Sequence, residues 1–366
     1  MKEPDAVTKQ DYGARRLSIE LTNICNLHCS YCLRDEEALY NTQASFLPLD
    51  LLQKIFSDGR RVMGITNVGF TGGEPTLHPQ FDRVLDLVVQ NGLKFSFVTN
   101  GWHFDRIWPA VRSHRDSVDS IAFSLDGVTR EEHDFWRGEG SFVRLVHAFS
   151  RCFGNDVPFN FKVALRRDTV AKLEPLALFA ARMGATDLRF AHVLPNSDEF
   201  ASSEILSREE RQRAEQEIAN LSRIFKMPIA IDVGYFNVEA AAPCSPLAGV
   251  SANIDYRGCL TLCCSLSGFR GAVGQGDVVG NLNTEDFAAA YQRLLAVADG
   301  QREARAKRLT TLAEQGITPD LVTGSPCLFC LDSFGKLPPK SSIAGTNQRS
   351  LPVFDAYNSG SSTVIN

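Results

Sequence analysis

The sequence predicts an α/β fold, a partial (β/α)6 TIM-like barrel followed by a smaller, cysteine-bearing C-terminal domain. Three observations predict it. Six strand patterns, each followed by a helical one, succeed one another between residues 16 and 226, and such units close into a parallel sheet with helices outside. A cysteine loop follows the first strand, and glycine-bearing turns follow the next three, on the rim where such folds place their chemistry. The cysteines are gathered, three at 25–32 and six at 244–330, with Cys152 alone between them.

The first strand is RLSIELT (16–22), and LPLDLLQKIFSDGRRV (47–62) reads as the first helix. TNVGF (66–70) is a short strand, and a helix runs from Pro79 to Gln90. LKFSFVT (93–99) and SVDSIAFSL (117–125), rich in β-branched and aromatic residues, are strands three and four, with a helical segment between them. PFNFKVAL (158–165) and TDLRFAHVL (186–194) are strands five and six, separated by the helix around LEPLALFAARMG. In SREERQRAEQEIANLSRIF, Ser207 and Glu210 have the spacing of a capping box, and Ala214, Ile218, Leu221 and Phe225 share one helical face. The helix-rich stretch 284–315 is expected to pack on the barrel's side. The end, 336–366, is dense in Ser, Pro and Gly and reads as a flexible tail or an arm over the barrel. The domain reading is an arm over 1–15, the barrel over 16–226, a second domain over 227–335 and the tail.

Composition excludes some classes of function. Of 366 residues, 44% are hydrophobic and 22% charged, with a net charge of −5, so no basic field awaits a nucleic-acid backbone. The N-terminus lacks the apolar core of a signal peptide, and no run approaches a membrane span. The expectation is a cytoplasmic protein with reduced thiols and neither membrane nor nucleic-acid partner.

Cys25, Cys29 and Cys32 stand at the spacing C-x3-C-x2-C. Three thiolates leave one position of a four-ligand site open. On spacing alone, a zinc site completed by His28 or a distant cysteine is the alternative. Gly72-Gly73-Glu74-Pro75 after strand two, Asn100-Gly101 after strand three and Ser124-Leu125-Asp126-Gly127 at the end of strand four are each ordinary turn formers taken singly. Together at one rim, beside a metal-like triad, they point to a site.

Over roughly residues 16–195 the chain resembles the radical S-adenosylmethionine (SAM) enzymes, through the cysteine triad with Tyr31 before its last member and the Gly-Gly-Glu-Pro run. The resemblance implies that Cys25, Cys29 and Cys32 hold three irons of a 4Fe–4S cluster whose fourth iron takes SAM. It further implies that Gly72, Gly73 and Glu74 receive the SAM ammonium, that Tyr31 lies near the adenine, and that Asn100 and Ser124 bond the ribose or carboxylate. Arg137, in HDFWRG (133–138), fits the SAM carboxylate as a guanidinium fork, with a surface ion pair as its alternative. His133 reads as structural and Cys152 as a buried free thiol.

The second cysteine group resembles the SPASM and twitch auxiliary-cluster domains: Cys244, thirteen residues, Gly258, four residues, Cys263, and later Cys327-x2-Cys330. The shorter twitch form implies one auxiliary 4Fe–4S cluster on Cys244, Cys263, Cys327 and Cys330. Cys259 and Cys264 are alternative ligands, and a structural zinc is the alternative metal. Four thiolates leave no open iron, which favours a role in electron transfer.

The function expected from the resemblance is reductive cleavage of SAM to a 5′-deoxyadenosyl radical, supplied with electrons by a flavodoxin- or ferredoxin-type donor. That radical would abstract hydrogen for oxidative modification of a peptide, as a cross-link, thioether or dehydrogenation. The alternatives are oxidation of a sugar- or alcohol-type small molecule, and a non-catalytic SAM-binding electron carrier or sensor. Only a short stretch precedes strand one, so no fused N-terminal peptide-binding domain is expected, which weakens the peptide reading because leader binding would need a separate protein or another surface.

Overall fold

In the computed structural model, residues 15–34, 43–195, 204–238, 244–269 and 276–337 are described. The expected arm over 1–15 and tail over 336–366 thus lie outside the described residues, except Arg15, Lys336 and Leu337. Lys336 is no tail residue: it is buried against Asp277 at 2.8 Å and donates to the Leu266 carbonyl.

Six parallel strands form the barrel wall: β1 (Arg16–Thr22), β2 (Asn67–Gly72), β3 (Lys94–Thr99), β4 (Val118–Ser124), β5 (Phe159–Leu165) and β6 (Leu188–His192). A seventh, β7 (Ile229–Val233), continues the wall beside β6 in parallel. At the other edge, β8 (Ser251–Ile254) pairs with β1 in parallel, and β9 (Cys259–Thr261) and β10 (Val278–Asn281) follow antiparallel. One ten-stranded sheet therefore runs in the order β10-β9-β8-β1-β2-β3-β4-β5-β6-β7. It crosses the 226/227 boundary on both sides.

Helices α1 (Leu49–Met63), α2 (Phe81–Gln90), α3 (Phe104–Ser113), α4 (Arg130–Arg137), α5 (Ser141–Phe153), α6 (Leu173–Arg182) and α7 (Arg208–Ile224) are the crossovers. Helix α1 turns Leu51, Leu52, Ile55, Phe56 and Met63 onto the sheet and ends at Gly64, whose φ of 68° suits glycine. Helix α7 opens on the Ser207–Glu210 capping box. Two longer helices, α8 (Phe287–Glu314) and α9 (Pro326–Ser333), and a single helical turn over Leu321–Gly324 between them complete the described C-terminal part.

The two faces of the sheet differ. In β5, Phe159, Phe161, Val163 and Leu165 are buried and alternate with half-buried Asn160, Lys162 and Ala164, the period of a strand between helices and a cavity. The outward set joins a phenylalanine-rich layer in which Phe149, Phe159, Phe161 and Phe179 meet mostly edge to face. The inward positions of β1, β2 and β3 include Ser18, Glu20, Gly69 and Ser96, small or polar where a closed TIM barrel stacks bulky aliphatic residues. The barrel is left with room inside.

Candidate active site

The rim is assembled around the loop leaving β1. The N–H of Gly73 donates to the Thr22 carbonyl at 3.0 Å and that of Glu74 to the Ile24 carbonyl at 2.9 Å, so the end of β2 is zipped onto the start of the cysteine loop. This contact explains the glycines. A Cβ on Gly73 would lie 1.9 Å from the Ile24 carbonyl oxygen, and one on Gly72, at φ 121°, 2.5 Å from that of Thr22.

Glu74 is buried and joins three segments. Its Oε1 accepts from the Thr76 N–H, the Thr76 hydroxyl and the Thr99 hydroxyl, and its Oε2 from the Asn100 N–H at 2.8 Å. Burial raises its carboxyl, and these bonds offset part of that rise. Asn100 reaches the cysteine loop with its side-chain amide, donating to Asn26 at 3.0 Å, while its Oδ1 accepts from the Trp102 N–H. Both residues predicted to touch a ligand thus also hold the rim together.

The other end of the loop is held from β4 and β5. Asp126, just beyond β4, accepts from the Tyr31 hydroxyl, from Arg137 Nε and from Arg166 Nη1, the last at 2.7 Å. Arg166 is wholly buried, with its guanidinium carbon 4.0 Å from the Trp136 ring centroid and 4.9 Å from that of Tyr31. Asp168 accepts from both Arg166 and Trp136. Burial alone would raise the Asp126 carboxyl, but Arg137 and then Arg166 hold it well below the usual carboxylate range. Arg137 therefore already serves one carboxylate, and a second must share its remaining N–H groups. Ser124 is buried at the same rim, and His133 is buried and accepts the Asp126 N–H, in keeping with a structural role. Cys152 is wholly buried in α5, where burial pushes its thiol up to about 12.

One residue, Arg34, lies near members of both cysteine groups, which are far apart in sequence. Arg34, two residues after Cys32, forms a β-bridge with Phe269, pairs with Glu20 at 2.8 Å and donates to the Gly72 carbonyl at 3.2 Å. The charges acting on Arg34 include both Cys32 and Cys264. Cys244, Cys327 and Cys330 act on one another, and Cys263 joins them. Cys264 also acts on Cys244 and Cys327, but is faced by Lys162 and Arg34 as well. Cys259 lies apart: its neighbouring charges are Asp255, Arg257 and Glu285, with no thiol among them.

These sulfurs suit a metal that supplies positive charge. Burial, then Glu74, pushes the Cys25 thiol up to about 12, and burial, then Cys244, does the same to Cys327. Buried thiols of this kind ionise when a metal repays the desolvation. In the vicinal pair, Cys264 is the more acidic, through its hydrogen bond with Cys263 and the charge of Lys162. Among the described residues no three His, Cys, Asp or Glu side chains converge closely enough for a single ion, and His28 is exposed.

Sequence reasoning missed four of the residues that build this site. Asp126 stood in the quoted turn beside Ser124 without a role. Glu20, a carboxylate inside an apolar strand, carried a legible signal. Arg34 and Arg166 carried none, because their partners are distant in sequence.

A Radical SAM superfamily model matches residues 19–180. The mycofactocin maturase MftC of Mycobacterium tuberculosis is 34% identical over 188 residues, 49% of this chain and 45% of that protein. GTP 3′,8-cyclase of Mannheimia succiniciproducens is 29% identical over 147 residues, 40% of this chain and 42% of that protein. The matched region is thus less than half the length of either relative. Among solved structures, Streptococcus suis SuiB bound to S-adenosylmethionine superposes with a TM-score of 0.63 at 13% identity, over 78% of this chain and 68% of that one. SuiB bound to its precursor peptide SuiA gives 0.62 at 12% identity, over 78% and 67%. The anSMEcpe enzyme with bound AdoMet gives 0.61 at 15% identity, over 80% and 85%. At such identities these likenesses establish the fold. Among the described residues no helix is long and apolar enough to cross a membrane.

Proposed function

Because residues 19–180 match the Radical SAM superfamily model, we propose that this chain belongs to that superfamily, cleaves SAM reductively and uses the product to oxidise a peptide. One observation carries the reading: the Gly72-Gly73-Glu74 edge is zipped by two backbone hydrogen bonds to the loop bearing Cys25, Cys29 and Cys32. When bound, a 4Fe–4S cluster on these thiolates and SAM on its open iron would supply a 5′-deoxyadenosyl radical that abstracts hydrogen from the substrate. The chain's own part is placement. Glu74 Oε2 accepts one N–H from within the protein and has lone-pair capacity for an ammonium. Arg137 offers N–H groups to a carboxylate, the Asn100 amide and the Ser124 hydroxyl offer bonds to the ribose or carboxylate, and Tyr31, fixed by Asp126, gives a flank for the adenine. Buried Phe and Leu residues behind the strands keep water from the outer side of the wall.

Cys244, Cys263, Cys327 and Cys330 are proposed to hold an auxiliary 4Fe–4S cluster of the twitch type, which would supply a one-electron acceptor for substrate oxidation. A flavodoxin- or ferredoxin-type donor would reduce the first site, and the setting would be cytoplasmic. The peptide class is supported by the maturase likeness and by the peptide-bound fold neighbour. A small-molecule substrate is the second reading, favoured by the likeness to GTP 3′,8-cyclase.

The test is anaerobic incubation of reconstituted protein with reductant and SAM. Formation of 5′-deoxyadenosine is expected, and its absence from protein that holds full iron would sink the enzymatic reading in favour of a carrier or sensor. Candidate precursor peptides and nucleoside or sugar substrates, added in parallel and followed by mass spectrometry, separate the two substrate classes.

A further inference from the structure

Helix α8 carries an arginine where a helix side chain normally packs apolar atoms. Arg305 is 3% exposed, lies on the buried face with Leu294, Ala298 and Leu309, and donates through Nη2 to the carbonyls of Asn237 and Gly324, the latter at 3.2 Å. Among the described residues, its buried Nε has no hydrogen-bond partner. A guanidinium taken out of water costs several kcal/mol unless opposite charge answers it. Among the described residues, the groups that answer Arg305 are Cys330, Tyr235, Cys244 and Cys327, in that order, with no carboxylate.

The contrast with Arg211 is informative. That residue is equally buried and also bonds carbonyls, of Gly234 at 2.9 Å and of Leu206, but the first negative group acting on it is the carboxylate of Glu215. Arg305 has thiols in that place. Neutral thiols would leave its charge uncompensated, whereas metal-bound thiolates would neutralise it.

The segments that Arg305 bridges are the ones that shape the sulfur group. Asn237 N–H donates to the Gly324 carbonyl at 2.8 Å, the Gly234 N–H donates to Cys327 Sγ at 3.3 Å, and Ser325 donates to the Gly234 carbonyl. Gly324 allows this closure, since a Cβ there would lie 2.0 Å from the Phe236 ring. The cation is therefore fixed relative to the sulfurs and cannot swing into solvent.

We infer that Arg305 is the counter-cation of the auxiliary centre and sets its reduction potential, as a positioning residue that touches no substrate. The inference rests on the reading of Cys244, Cys263, Cys327 and Cys330 as an iron–sulfur site. A cluster on four thiolates is anionic and gains one further negative charge when it takes up an electron. No proton need move, and Arg305 keeps its charge throughout. A fixed cation favours the more negative, reduced state and so raises the potential. It thereby makes the centre a better acceptor for the electron that a substrate radical must lose.

The experiment is a redox titration followed by electron paramagnetic resonance. It uses the full chain with Cys25, Cys29 and Cys32 replaced by alanine, so that the auxiliary centre is seen alone. In that background R305Q removes the charge and R305K keeps it. R305Q should retain its iron and titrate at lower potential. At the parent midpoint its reduced-to-oxidised ratio should fall at least about tenfold, or about 59 mV for one electron, while R305K stays near the parent. An unchanged midpoint in R305Q, or an equal shift in R305K, overturns the inference. If R305Q cannot hold iron, R305K decides alone: full iron at the parent midpoint supports the charge, and a shifted midpoint refutes it. Zinc in place of iron in the parent would instead overturn the reading on which the inference rests.

Discussion

Asp126 and Arg166 pair at 2.7 Å with neither side chain exposed to solvent. Through this pair, and the bond from Tyr31 to the same carboxylate, the cysteine loop is fastened to strands β4 and β5. Asp126→Asn would leave two buried guanidiniums, of Arg137 and Arg166, without their shared counter-charge. The expected cost is roughly 3–5 kcal/mol, read from anaerobic urea denaturation. A cost under about 1 kcal/mol would mean that the pair is no better than a surface salt bridge.

Gly73→Ala puts a methyl 1.9 Å from the Ile24 carbonyl oxygen, in backbone that can yield only by moving the loop bearing Cys25. SAM affinity should fall at least about tenfold, measured by equilibrium dialysis on iron-loaded protein. Gly69→Ala is the control, because its Cβ would meet nothing closer than the Ser96 hydroxyl at 3.3 Å and the Leu17 carbonyl at 3.9 Å. Equal affinities for the two variants would contradict the assigned contact.

Glu74→Ala removes four internal hydrogen bonds together with the proposed ammonium acceptor. Iron content should be retained, since Glu74 is no ligand, while SAM binding weakens by about ten- to a hundredfold. Glu74→Gln keeps the Oε1 acceptor but sets an NH2 against the Asn100 N–H, so it should recover only part of the stability and none of the affinity. Full affinity in Glu74→Gln would rule out the charge as the recognised feature.

His133 and His192 make stability depend on pH. Burial first, then Arg137 for His133 and Arg211 for His192, lowers each from 6.5 to about 4. Between those values the unfolded chain binds protons that the folded chain refuses, so stability is full above 6.5 and falls as pH drops toward 4. Each histidine accounts for roughly 3 kcal/mol over that window. Thermal melting between pH 7 and pH 5 should show the fall. His133→Asn, whose Oδ1 can still accept the Asp126 N–H, should flatten it, and an identical profile in the variant would exclude His133 as a source.

Replacing Cys327 and Cys330 together by alanine removes two proposed ligands of the auxiliary site and none of the triad. Iron should drop from about eight to about four per chain. 5′-Deoxyadenosine should still form, while oxidised product collapses. Product at the parental rate from folded variant protein would make the second site purely structural.

Much of this was legible in the sequence where the signal is local and periodic. All six barrel strands lie where alternation and β-branched residues put them, with ends shifted by one or two residues, and the Ser207–Glu210 capping box closes as its spacing implies. Strands β7 to β10 escaped because each has only three to five residues, too few for a period to show. The Arg34–Glu20, Arg166–Asp126 and Lys336–Asp277 pairs escaped for another reason. Their members are brought together by chain topology, and a lone arginine or lysine in a sequence looks the same whether it ends in water or in a buried pair. The surroundings of Cys259 follow from strand pairing, which no count of intervening residues contains: β9 sets that thiol beside Asp255 and Arg257.

The pairing of β8 with β1 has a consequence for anyone who would recombine this protein with its relatives. A chimera joined at residue 226, made to redirect what is modified, would exchange the hydrogen-bonding neighbour of the strand that launches the cysteine loop. If the incoming segment fails to dock, β1 becomes an edge with a row of unsatisfied N–H and C=O groups, a template for aggregation between copies. Crossover points belong after residue 254, so that β8 and β1 are inherited together.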